Sequence, residues 1–226
     1  ASTGETGALQ VWPMDVPRAL YHTDWVADRT LAWLGEQGQS PWFCWMSFPD
    51  PHHPWDVPRS ELLRVNWRDL DLPAAYLDGD DARRVLSTKP KHWLGYYEAS
   101  LWSNLESPRE YVPADMTADQ VREINAMTHI ENELIDEACQ RVIDYLKAHD
   151  LYDHTDIFFT TDHGDLQGDY GLMFKGPYHV DALMRLPLIW KPGQKGGAPQ
   201  VIDEPVGHVD LAPTFCSIAG IEPEQM

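Results

Sequence analysis

Asp162 and His163 close an apolar run, Ile157-Phe158-Phe159-Thr160-Thr161, and are followed at once by Gly164 and Asp165. A short run of β-branched and aromatic residues reads as a buried strand, and groups just past a strand's carboxyl end face the ligand crevice of open α/β sheets. A carboxylate and an imidazole placed there suit a divalent cation, and Gly164 would let the backbone turn so that both converge. The same residues also fit a plain strand-end turn with Asp162 as its cap and His163 in solvent, and the motif alone does not separate the two readings. Further along, Lys175 lies between Gly171 and Gly176, with His179 shortly after. A glycine-bracketed lysine offers a point charge to an anionic oxygen. A second apolar run, Trp42-Phe43-Cys44-Trp45-Met46-Ser47-Phe48, ends in Pro49-Asp50-Pro51-His52-His53-Pro54. Two strands ending in histidine loops, one backed by the lysine, form a constellation suited to a metal and an oxyanion.

The elements that must hold these loops are legible in outline. Thr117-Ala118-Asp119-Gln120 matches a capping box, and Val121, Ile124, Met127, Leu134, Ile135, Ala138, Val142, Ile143 and Leu146 recur with helical spacing to about His149. That helix leads into the strand carrying Asp162, which is half of a βαβ crossover and predicts a mixed, largely parallel sheet flanked by helices, an α/β class. A helix over 24–36, with Asp24 as its cap, precedes the strand at 42–48. Residues 186–190 read as another strand and 209–219 as a final helix. The stretch 55–116, rich in Asp, Pro, Trp and Arg, shows no long period. It reads as an irregular surface insertion on the substrate side, with a short helix near His92 to Leu101. Trp42, Trp45 and Trp190 are expected in the core, whereas Trp55, Trp67, Trp93 and Trp102 are candidates for substrate contact.

The composition narrows the partners. Thirty-six acidic against 17 basic residues give a net charge of −19, which disfavours nucleic acid and anionic membrane surfaces. No run of about 18 apolar residues predicts a transmembrane helix. Cys44, Cys139 and Cys216 have no framework or metal spacing and read as packed thiols, so nothing demands an oxidising compartment and a cytoplasmic location is expected.

Five segments in order, SFPDPHHP (47–54), TTDHGD (160–165), GDYGLMFKGP (168–177), RLPLIW (185–190) and HVDLAPT (208–214), resemble successive blocks of the sulfatase branch of the alkaline phosphatase superfamily. The pattern is nearest that of phosphonate monoester hydrolases and arylsulfatases. It runs from about Asp24 onward, and residues 55–115 carry no block that can be placed. The resemblance implies an alkaline phosphatase-like domain over 1–226, incomplete, that hydrolyses sulfate, phosphate or phosphonate monoesters. It implies Asp162 and His163 as metal ligands, for Mn²⁺ or Ca²⁺ ahead of Zn²⁺ or Mg²⁺, and Lys175 on the transferred group. His52, then His53, would assist the leaving oxygen, with His179 in the same pocket; a histidine's pKa near neutrality suits that task. Asp165, Asp169 and His208 are expected in turns or behind the ligands. The family's C-x-P-S-R block, whose first residue becomes a formylglycine nucleophile, has no match around any cysteine or serine here. The chain is therefore expected to be part of a longer enzyme, and its partner a small anionic ester; homo-oligomerisation is left open. The alternatives are a noncatalytic ligand- or partner-binding domain, or a phosphodiesterase or phosphomutase of the same superfamily.

Overall fold

Thr117 Oγ1 accepts the Gln120 N–H at 3.2 Å while the Gln120 side chain accepts the Thr117 N–H at 2.9 Å, so the expected capping box forms. It opens the long helix α4 (Ala118–Ala148) in the computed structural model, which describes residues 4–38, 40–101, 111–193 and 199–221. Val121, Ile124, Met127, Ile130, Leu134 and Ala138 form one buried stripe at helical spacing. Each large apolar side chain so buried contributes roughly 2 kcal/mol.

Helix α1 (His22–Gln37) packs along α4. It starts two residues before the expected cap, so Asp24 lies inside its first turn. There the carboxylate binds Arg18 at 3.0 Å and Arg141 of α4 at 3.2 Å, which couples the two helices as well as suiting the helix dipole. The helix ends at Gly38, whose φ of 60° glycine adopts without strain.

Strand β1 (Ile157–Thr160) pairs antiparallel with β4 (Leu188–Lys191), Ile157 opposite Lys191 and Thr160 opposite Leu188. Between them lie a small hairpin, β2 (Leu166–Gln167) and β3 (Met173–Phe174), and the short helix α5 (Asp181–Met184). The parallel pairings described are isolated bridges, Val11 with Trp55 and Met14 with Pro58. The described sheet is thus partial, two separate two-stranded ladders, where a largely parallel sheet was expected. Its described ladders are antiparallel, because β4 returns to β1 through a hairpin and a single helical turn, not through a crossover.

The run 42–48 alternates with strict period two, Trp42, Cys44, Met46 and Phe48 half-buried, yet it joins no ladder among the described residues. Its rings reach both sides: Trp42 lies edge-on to Trp33 of α1, and Phe43 lies 5.8 Å from Phe215 of the last helix, α6 (Leu211–Ile218). Period two alone fixes an extended chain but not a hydrogen-bonded neighbour.

The tryptophans depart from their expected places, Trp42 and Trp67 alike being half-buried. Trp45 is 72% exposed and Trp190, although stacked on Phe158 at 5.2 Å, 48% exposed, while Trp55 is fully buried and Trp93 nearly so. Trp102 lies outside the described residues. The stretch 55–101 is irregular between its short helices α2 (Gly79–Leu86) and α3 (Lys91–Tyr97), but it is not only surface. Trp55, Val57, Ala82, Leu86, Trp93, Tyr96 and Tyr97 enter the main core. Aromatic side chains bury large areas even without a regular period to announce them. The three cysteines are half-buried thiols outside any disulfide, and no described helix is long and apolar enough to cross a membrane.

Candidate active site

The β2–β3 hairpin decides where Lys175 goes. Gly168 and Gly171, with φ of 109° and 73°, close its loop, and Tyr170 between them also has a positive φ. The register, Leu166 opposite Phe174, brings Asp165 and Lys175 out at the same open end, next to Gly164 and His163. Phe174 itself is fully buried with φ of 65°, a region rarely adopted by an aromatic residue, and it persists because the ring is clamped on several sides. Trp55 stacks on it at 5.9 Å, Tyr111 contacts it at 4.6 Å and His53 at 4.4 Å. The irregular 55–101 stretch braces the hairpin from behind. Tyr96 donates its hydroxyl to the Met173 carbonyl at 3.0 Å, and Trp93 packs edge-on against Tyr178.

So aimed, Lys175 Nζ lies 2.8 Å from His52 Nε2, across 123 positions of sequence. His52 Nδ1 is 2.5 Å from the His53 carbonyl, so that nitrogen carries the hydrogen and Nε2 accepts from the lysine ammonium. His52 is exposed while His53 is stacked beneath it, 7% exposed, at a ring separation of 4.3 Å. Of the two histidines, His52 is the one at the lysine. The loop is anchored by Asp50, whose carboxylate bonds His22 at 2.5 Å and the Thr23 hydroxyl.

At the end of β1, Asp162 and His163 form a second pair. His163 Nδ1 lies 2.8 Å from the Gly164 carbonyl, which fixes the tautomer with the hydrogen on Nδ1 and leaves the Nε2 lone pair outward. That Nε2 is 3.6 Å from Asp162 Oδ2. Two donors bound at about 2.1 Å to one ion, at tetrahedral angles, lie ~3.4 Å apart, so these residues fit the metal that the family resemblance implies. Partial burial pushes the Asp162 carboxyl up, but the positive charge of His163 in its protonated form and the backbone N–H groups outweigh it and hold it below the ordinary carboxylate range. It is ionised at neutral pH.

Gly164 is needed for a different reason than a sharp turn. A Cβ there would meet the Ala182 carbonyl oxygen of α5 at 1.9 Å, and the Gly164 N–H bonds the Leu183 carbonyl at 3.0 Å. Close approach of α5 holds the ligand loop from below. His208 reaches back to the Thr161 carbonyl at 2.8 Å and fixes the strand end behind Asp162. His179 is exposed after Pro177, and among the described residues no hydrogen bond or ring contact joins it to His52 or Lys175. Phe174, Trp55 and Asp50 are the positioning residues that sequence reasoning missed. Asp50, an acid between two prolines before the histidines, left a trace in sequence, and Trp55 was expected at the substrate rather than behind the hairpin.

A family model described as "Sulfatase" matches residues 5–221. Among curated proteins, an uncharacterised sulfatase of Escherichia coli is 27% identical over 87% of this chain and 36% of its own length. A multifunctional alkaline phosphatase superfamily protein of Trinickia caryophylli is 26% identical over 93% of this chain and 40% of its own. Among solved structures, a phosphonate monoester hydrolase of Agrobacterium radiobacter superposes with a TM-score of 0.78 at 26% identity, covering 97% of this chain and 42% of that one. The chain spans about two fifths of the length of these relatives.

Proposed function

Because the chain belongs to the sulfatase family, we propose that the whole protein hydrolyses small sulfate or phosphonate monoesters, and that this chain supplies half of a metal site together with the leaving-group side of the pocket. The observation that carries this reading is the paired geometry. A carboxylate and an outward imidazole nitrogen lie 3.6 Å apart at one strand end, and a lysine–histidine pair 2.8 Å apart emerges from the adjoining hairpin.

Each chain residue has a definable task. Asp162 and His163 would hold a divalent cation, which supplies positive charge to the ester's non-bridging oxygens. Lys175 places its ammonium against the anionic group in a protein whose net charge of −19 repels such substrates at long range. As the bond to the alcohol breaks, the leaving oxygen needs a proton or a hydrogen bond. Protonated His52 would supply it from Nε2, the nitrogen that lies 2.8 Å from Lys175 Nζ and accepts from it while neutral. Stacking on the buried His53 holds the His52 ring in place. The nucleophile, a formylglycine on the family pattern, comes from outside these 226 residues. The 55–101 stretch would border the substrate while bracing the lysine hairpin.

Metal binding tests the first half of the site. Titrated with Mn²⁺, the Asp162→Ala variant should bind at least about tenfold more weakly than wild type at the Asp162 site. Equal stoichiometry and affinity in the two proteins would refute the ligand assignment.

A further inference from the structure

Glu131 is an anomaly in the buried stripe of α4. It is 0% exposed, and neither carboxylate oxygen has a hydrogen-bond partner among the described residues. Burial, with the charges of Asp50 and Asp56 added, pushes its pKa well above the carboxylate range, and the Asp56 backbone amide offsets this only in part. An ionised carboxylate so placed is costly unless it is paired or coordinates a metal.

What it faces is a converging set of ligands. His22 at the start of α1, Asp50 and Asp56 each bring one donor atom to within 4.8 Å of the others. Asp50 is 9% exposed and His22 and Asp56 are half-buried, so this is not a solvated acidic patch. The fully buried ring of Tyr21 walls it, donating its hydroxyl to Asp56 at 3.3 Å, and the Thr23 hydroxyl binds Asp50. With every carboxylate ionised and His22 protonated, the set would still hold a net double negative charge. No Lys or Arg makes an ion pair with Asp50, Asp56 or Glu131 among the described residues. A proton on Glu131 relieves part of that charge, whereas a divalent cation relieves it and also uses the imidazole nitrogen.

We propose that His22, Asp50 and Asp56, with Glu131 closing the set from α4, form a binding site for a transition-metal cation, Zn²⁺ or Mn²⁺. One imidazole with carboxylates favours these ions over Ca²⁺ or Mg²⁺, which prefer oxygen donors alone. The site uses neither Asp162 nor His163. It ties α1, α4 and the 50–56 loop at one point, and since His52 follows Asp50 by two positions, the bound ion would hold the leaving-group histidine against Lys175.

The test uses this chain carrying Asp162→Ala and His163→Ala, so that the strand-end pair contributes nothing. Equilibrated separately with Zn²⁺ and Mn²⁺ and analysed for bound metal, it should retain about one equivalent of at least one of them and melt several degrees higher with it than after chelation. Adding Asp56→Asn or Glu131→Gln should weaken that binding by more than about tenfold. No saturable binding by the Asp162→Ala/His163→Ala protein, or an unchanged melting temperature, would overturn the proposal. So would undiminished affinity in folded Asp56→Asn protein. Should the added variants fail to fold, the first measurement decides alone.

Discussion

Replacing Lys175 with alanine should lower kcat/KM of the full-length protein toward a sulfate or phosphonate monoester by about 10³-fold, or ~4 kcal/mol of transition-state stabilisation. The lysine's neighbour is His52 Nε2, so its loss removes both a charge opposite the anionic group and the partner that orients the proton donor. Lys175→Arg should recover little of this. A planar guanidinium on a longer fork cannot occupy the position of a compact ammonium 2.8 Å from the imidazole. Steady-state kinetics with a nitrophenyl ester read the effect, and circular dichroism checks that the half-buried side chain was not needed for folding. A loss smaller than about threefold would remove Lys175 from the mechanism.

Trp55→Ala should destabilise the protein by about 4 kcal/mol, near the upper end for core truncations. Trp55 is fully buried at the junction of three regions. Its backbone pairs with Gln10 and Trp12 at 2.9 and 2.7 Å, and its ring stacks on Phe174, whose left-handed φ aims Lys175. The indole N–H has no hydrogen-bond partner among the described residues, so Trp55→Phe forfeits no hydrogen bond and should cost less than half as much. Urea unfolding distinguishes the two variants. A cost below about 1 kcal/mol for Trp55→Ala would show that the aromatic cluster is not what holds the hairpin.

The helices were open to sequence reading because their signals are local. The Thr117–Gln120 box and the stripe from Val121 to Leu146 each need only a few neighbouring residues to be recognised, and both formed as expected. The same holds for the abrupt end of the strand before Asp162. What stayed hidden depends on distant partners. The alternation of 42–48 is visible in the chain, but whether a ladder forms depends on another segment. Nothing about Phe174 in sequence suggests a positive φ, since it is imposed by Trp55, Tyr111 and His53 closing on the ring. In sequence Glu131 is one acid among several along the helix, and its meaning appears only when Asp50 and Asp56 are brought near it. For the site, residue types foretold which side chains could do chemistry, and the hairpin register decided which of them meet. His52 rather than His53 reaches Lys175 because one imidazole must lie beneath the other.

The proposed hydrolysis depends on a cation held by Asp162 and His163. Its most direct test is turnover of 4-nitrophenyl sulfate and of a phenylphosphonate monoester by the full-length protein with Mn²⁺, wild type against the variant carrying Asp162→Ala and His163→Ala. Measurable turnover of at least one ester is expected from wild type, and a loss of about 10³-fold or more in the variant. Wild-type protein without turnover of either ester, or a variant as active as wild type, would contradict it.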